Sequence, residues 1–231
     1  MHLHSNGQDH EIATLESPVV ALLRHEDDVI AVHERGALRI AADGSATPFV
    51  PWLSGQVLAA CNGEADAVWA VVALPEAGAA IGRMRADGTF EVQWRVGEAV
   101  QALGWHAQDQ TLYATAPGSG TLLRLQPGQG AMRRLATVPK GSGRVSGLAF
   151  DAQGGIWTAL CDGWSVVRFT ADGQLDRVIG LPVPCATDLA FAPSPDGAEM
   201  QRLVITTARH SVPLDTLASA PLSGRLLALT V

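Results

Sequence analysis

Short apolar runs of four to seven residues, broken by glycine-rich turns, fill the chain, and one run keeps returning. It reads Ile30-Ala31-Val32, Trp69-Ala70-Val71, Tyr113-Ala114-Thr115, Trp157-Thr158-Ala159 and Ile205-Thr206-Thr207, at intervals of about 40 to just under 50 residues. That period is the length of one four-stranded propeller blade. The pattern predicts an all-β chain, a β-propeller of about five four-stranded repeats forming one domain over residues 1–231.

The repeat is clearest from Val145 to Val178. An apolar strand, Ser146 to Phe150, precedes a turn at Asp151-Ala152-Gln153-Gly154-Gly155. A second strand follows at Ile156 to Leu160 and a third at Ser165 to Phe169. Ala171-Asp172-Gly173 then reads as a type I′ hairpin, and a fourth strand runs from Leu175 to Ile179. The Ala-Asp-Gly signal recurs at Ala42-Asp43-Gly44 and Ala86-Asp87-Gly88. Each copy follows a third strand bearing arginine, namely Arg39, Arg83 with Arg85, and Arg168. Alternation with apolar residues marks these arginines as structural. Trp69, Trp157 and Tyr113 share one slot and read as inter-blade packing. A helical period is confined to a short stretch near Leu214 to Ala220.

Composition narrows the function classes. The apolar fraction is 47% and the charged fraction 17%, enough to bury a core and too apolar for disorder. A net charge of −7 repels nucleic acid and anionic membrane surfaces, which leaves a small neutral or sugar-like ligand as the expected partner. No apolar run is long enough to cross a bilayer, and the amino terminus lacks the pattern of a secretory signal. A cytoplasmic location is therefore expected. Cys61, Cys161 and Cys185 are odd in number and widely spaced, and read as small buried apolar residues. His2, His4 and His10 fall in an opening segment, residues 1–16, that reads as a flexible polar tail.

The carboxy-terminal hundred residues resemble a known family. Gly147-Leu148-Ala149-Phe150-Asp151-Ala152-Gln153-Gly154-Gly155-Ile156-Trp157, Val166-Val167-Arg168-Phe169-Thr170-Ala171-Asp172-Gly173 and Leu181-Pro182-Val183-Pro184 follow in the order of phrases found in SMP-30/gluconolactonase/LRE proteins. Val204-Ile205-Thr206-Thr207-Ala208-Arg209 and Ala220-Pro221-Leu222-Ser223-Gly224-Arg225 match that family's tail. Upstream of about Val100 the likeness is at the level of the blade.

The resemblance implies a six-bladed ring and hydrolysis of sugar lactones with a divalent cation, calcium or zinc. That ion would be held by a glutamate, an asparagine and an aspartate from different blades. The aspartate position maps to Ser146 and the asparagine position to Gln101. Two registers compete for the glutamate. In one, Glu16 of Leu15-Glu16-Ser17-Pro18 is the ligand; in the other, Pro18 to Ile40 matches the second blade and the first is absent.

Reading the same inner-strand slot in every copy gives Val19, Val57, Gln101, Ser146 and Thr187, a set without a carboxylate. Asp188 lies one position beyond, on the opposite face of an ideal strand. The family's substrate-binding phrase maps to Gln56-Val57-Leu58. Gln56, Val57, Gln101, Ser146, Thr187 and Asp188 are thus the candidate channel or substrate residues, with His106 and His210 as the imidazoles that could serve as base without a metal. His106 is expected on a surface loop. Two readings follow: a lactone hydrolase with a degenerate metal site, or a non-catalytic propeller that binds a small ligand or a protein. Unpaired blade edges would favour a homodimer.

Overall fold

In the computed structural model, residues 2–5, 8–11, 14–15, 17–34, 36–49, 55–85, 87–192, 201–210 and 212–231 are described. The described residues form the β-sheet blades of a β-propeller, each an antiparallel meander with strands in chain order. Blade 1 comprises Val19–His25, Asp28–His33, Gly36–Ile40 and Ala46–Pro48, and blade 2 Val57–Asn62, Val68–Ala73, Ala79–Met84 and Phe90–Val96. Blade 3 comprises Ala102–His106, Thr111–Ala116, Thr121–Gln126 and Ala131–Thr137. Blade 4, made of Arg144–Phe150, Ile156–Cys161, Ser165–Phe169 and Leu175–Gly180, follows the boundaries expected from sequence. Among the described residues blade 5 has three strands, Ala186–Ala192, Arg202–Thr207 and Leu227–Thr230, with the helix Leu214–Ser219 between the last two. No described helix is long and apolar enough to cross a membrane.

The chain divides into two compact units, Met1–Trp105 and His106–Val231. In the first, blades 1 and 2 share a core that includes Leu23, Ile30, Val32, Val57 and Ala70. In the second, Tyr113, Leu122, Val145, Ile156 and Phe169 join blade 3 to blade 4, and Trp157, Val166, Leu189, Leu203 and Ile205 join blade 4 to blade 5. The second strands of blades 3 and 4 are buried along their whole length.

The aromatic slot and the third-strand arginine are direct cross-strand partners. The pairs are Ile30 with Arg39, Trp69 with Arg83, Tyr113 with Arg124 and Trp157 with Arg168. In blade 4 the partnership closes on a buried carboxylate. Asp151 Oδ2 accepts from Trp157 Nε1 at 2.7 Å and from Arg168 Nε at 2.6 Å. Its Oδ1 accepts from the Gly155 amide at 2.7 Å. Burial pushes the Asp151 carboxyl up, but the hydrogen bonds from Arg168, Trp157 and Gly155 outweigh it and leave the group below its ordinary value. Blade 3 repeats the arrangement, with Asp109 Oδ2 accepting from Tyr113 Oη at 2.9 Å and from Arg124 Nη2 at 3.2 Å.

Four expectations are corrected. The Ala-Asp-Gly hairpins are not type I′ turns, which need positive φ at both central residues. Only the glycine takes it: Gly173 has φ +87° while its amide donates to Thr170 O at 2.9 Å, a type I turn closed by a glycine bulge. The opening segment is not all tail, since His2–Ser5 pairs antiparallel with Gln8–Glu11. Cys161 and Cys185 form a disulfide, because the end of blade 4's second strand meets the entry to blade 5. Cys61 is a free thiol that desolvation pushes above its ordinary value. Finally, His106 is not on a surface loop. It is 6% exposed, with Nδ1 2.8 Å from Asp109 Oδ1 and its ring against Tyr113 and Phe150.

Asp151→Asn leaves Arg168 with only Asp176, 3.0 Å away, and should cost about 3 kcal/mol in urea unfolding. Because the folded carboxyl sits below its ordinary value of 3.8, the contribution is complete above that pH and disappears as pH falls through the folded value. Thiol titration of the unfolded, unreduced chain should find one reactive cysteine of three. Cys161→Ser should lower stability by about 3 kcal/mol, the loop-closure contribution of a bridge of this span.

Candidate functional site

Inner strands set where the candidate residues go, and they are not regular. The ladder between first and second strands slips between Val19 and Ala21, Val57 and Ala59, Val145 and Leu148, and Ala186 and Asp188. A bulge at the same place in four blades breaks the alternation of an ideal strand and re-aims the residues around it.

In the first unit, Val57 is fully buried in the core between blades 1 and 2 and presents no surface to a ligand. Val19 and Gln56 are exposed, as is Gln101. Glu16 lies outside the described residues.

In the second unit, three of the candidates come together. Ser146 is 1% exposed, and its hydroxyl donates to Thr187 O at 2.6 Å, joining blade 4 to blade 5. The Thr115 hydroxyl donates in the same manner to Ser146 O at 2.8 Å, joining blade 3 to blade 4. Thr187, left out of the ladder by the bulge, has Oγ1 2.9 Å from Thr206 Oγ1 and turns towards a pocket. Asp188 takes a different course. It packs on Gly147, where any Cβ would lie 2.0 Å from Asp188 Oδ1, and its Oδ1 accepts the Leu189 amide at 2.9 Å. Although part of the residue stays accessible, crowding around the carboxyl raises it above the ordinary value, and amide hydrogen bonds from Leu189 and Leu148 offset this only in part.

The donor set decides whether the divalent cation implied by the resemblance fits. A hard cation needs oxygen donors with at least one carboxylate close by. The Ser146 hydroxyl is buried and spends its proton on a carbonyl. Among the described residues no group of three or more His, Cys, Asp or Glu comes together. The described residues do not fit the ion.

The pocket beside Thr187 has a volume of about 640 Å³, within the range of small-ligand sites. Thr207, Arg209 and His210 give it polar lining, and Val212, Leu214 and Leu217 apolar lining. A latch shapes the polar lining: the Gly224 amide donates to Thr207 Oγ1 at 2.9 Å, and that hydroxyl donates to Arg225 O at 2.7 Å. The disulfide packs under the apolar lining with Ala208, Val212 and Leu217. His210 was legible in the sequence as a spare imidazole. Arg209 was visible only as part of a phrase, because nothing in spacing announces that Gly224 returns beside it.

Comparisons with known proteins bear on this site. The family model described as SMP-30/Gluconolactonase/LRE-like region matches residues 1–209. A 6-deoxy-6-sulfogluconolactonase of Pseudomonas putida is 38% identical over 103 residues, covering 44% of this chain and 34% of that protein. A pentonolactonase of Haloferax volcanii is 28% identical over 138 residues, covering 57% and 46%. The chain thus spans less than half the length of these curated relatives. The calcium-binding protein regucalcin of Agrobacterium tumefaciens shares the fold, with a TM-score of 0.75 at 19% identity over 90% of this chain and 74% of that one.

Ser146 can be tested directly. Ser146→Ala removes the hydroxyl from Thr187 O and should cost about 1 kcal/mol. Ser146→Asp places a carboxylate against that carbonyl and should cost more, about 3 kcal/mol, in thermal or urea unfolding.

Proposed function

The chain belongs to the SMP-30/gluconolactonase/LRE-like family, and from that premise we propose that it hydrolyses small sugar-type lactones in the blade 5 pocket. The observation that carries this reading is the convergence of Thr187, His210 and Arg209 on one cavity of suitable size. Relatives named for sulfogluconolactone and pentonolactone hydrolysis support the class of substrate.

Lactone hydrolysis needs an activated water and a donor for the developing oxyanion. In the proposed chemistry, His210 takes a proton as the water oxygen bonds to the lactone carbonyl carbon. The carbonyl oxygen, now negative, accepts a hydrogen bond from the Thr187 hydroxyl. Collapse of the tetrahedral intermediate breaks the ring C–O bond, and the departing oxygen takes the proton back from the imidazolium. The product is the open hydroxy acid. The metal site that the resemblance implies is a separate place, and we read it as degenerate because Ser146 stands where the resemblance puts a carboxylate.

A second reading, binding of a sugar-like ligand without turnover, is favoured by the same Ser146, whose hydroxyl joins two blades. One assay separates the two. Glucono-1,5-lactone hydrolysis should exceed the uncatalysed rate, persist in EDTA and not depend on added calcium, zinc or manganese. His210→Gln should lower kcat by about 100-fold, the usual contribution of a positioned base. Hydrolysis at the uncatalysed rate under every condition would leave only the binding reading.

A further inference from the structure

The blade 5 pocket carries charge of one sign. Among the described residues that line it Arg209 is the one permanently charged side chain, and none is Asp or Glu. Arg209 has no ion-pair partner among the described residues, in contrast to Arg124 and Arg168, which are tied to Asp109 and Asp151. This cationic spot lies in a chain with 23 acidic residues against 16 basic ones. Long-range attraction does not explain it, since the net field of the chain is negative and is screened over about 8 Å.

The position of Arg209 is built by its neighbours. Gly224 has φ +82°, and a Cβ there would lie 3.1 Å from Arg209 Cβ and 3.8 Å from Cδ. The glycine therefore lets the arginine stem lie along the Ser223-Gly224-Arg225 turn, which Thr207 holds in place. Val212, Leu214 and Leu217 add apolar lining to the same pocket. A fully neutral polyhydroxy ligand would leave a guanidinium with five N–H donors facing hydroxyls, which it does not distinguish from water. A tetrahedral or planar anion matches its fork.

We infer that the pocket selects lactones and hydroxy acids that carry an anionic substituent, a sulfonate, phosphate or carboxylate, with Arg209 as the residue that pairs with it. The inference rests on the pocket being the lactone site, and it amends the expectation of a neutral ligand. Arg209 acts on the substituent and not on the reacting carbonyl. Its removal therefore acts on binding.

Calorimetric titration of the whole chain with gluconate and with 6-phosphogluconate tests this apart from turnover. At low salt 6-phosphogluconate should bind about tenfold more tightly, as expected for one charge-assisted contact. The advantage should shrink as salt rises, vanish in Arg209→Gln and survive in part in Arg209→Lys, which keeps the charge without the fork. Equal affinity for the two acids in the unaltered chain, or an advantage that survives Arg209→Gln, overturns the inference. The lactones of the two acids are then compared as substrates. Hydrolysis of both with equal kcat/KM overturns the selectivity and keeps the hydrolase. Preferential binding of 6-phosphogluconate with no hydrolysis of either lactone does the reverse. If Arg209→Gln melts early, Arg209→Lys alone decides: a partial loss of the tenfold advantage at unchanged Tm reports the fork, and an undiminished advantage overturns the inference.

Discussion

Blade 4 is organised around one buried carboxylate. Its second strand is covered on both faces, so every polar group that enters with it needs a partner inside the protein. Trp157 is 1% exposed and brings an indole N–H; Arg168 brings a charge; Asp151 answers both and also holds the amide of its own turn. Blade 3 solves the same problem with Asp109, Tyr113 and Arg124, and adds His106 to the cluster. Within each of these blades the clamp fixes the turn, the second strand and the third strand relative to one another. Packing between blades can then use the remaining apolar faces.

The inner strands meet a different demand. Bulges leave backbone groups outside the ladder, and in the second unit hydroxyl groups take them up. Thr115 donates to the carbonyl of Ser146, and Ser146 to the carbonyl of Thr187. A residue that resemblance assigns to metal binding thereby becomes a tie between sheets. The pocket lies apart from Ser146, lined from the strand end, the Ser223-Gly224-Arg225 turn and the short helix.

Much of the fold could be read from the residues because blade geometry is local. The boundaries of blade 4 followed from alternation and glycine turns, and the aromatic slot with its arginine followed from the repeat. The hairpin type did not, since Asp-Gly is compatible with two turns and only the register of the flanking strands selects between them. The disulfide also escaped notice. Cys161 and Cys185 are 24 positions apart, and their approach depends on how blade 5 begins beside blade 4.

The candidate site divides along the same line. By itself the sequence determined that Ser146 carries no carboxylate, that Thr187 lies at an inner-strand slot and that His210 is an imidazole available for chemistry, because these are matters of residue type and period. Tertiary structure decided the rest. It buried Ser146 against a carbonyl, took Val57 into the core, turned Thr187 and Asp188 to different surroundings at a bulge and placed Arg209 on Gly224 beside the pocket. Each of those outcomes depends on contacts between segments distant along the chain, which local pattern does not encode.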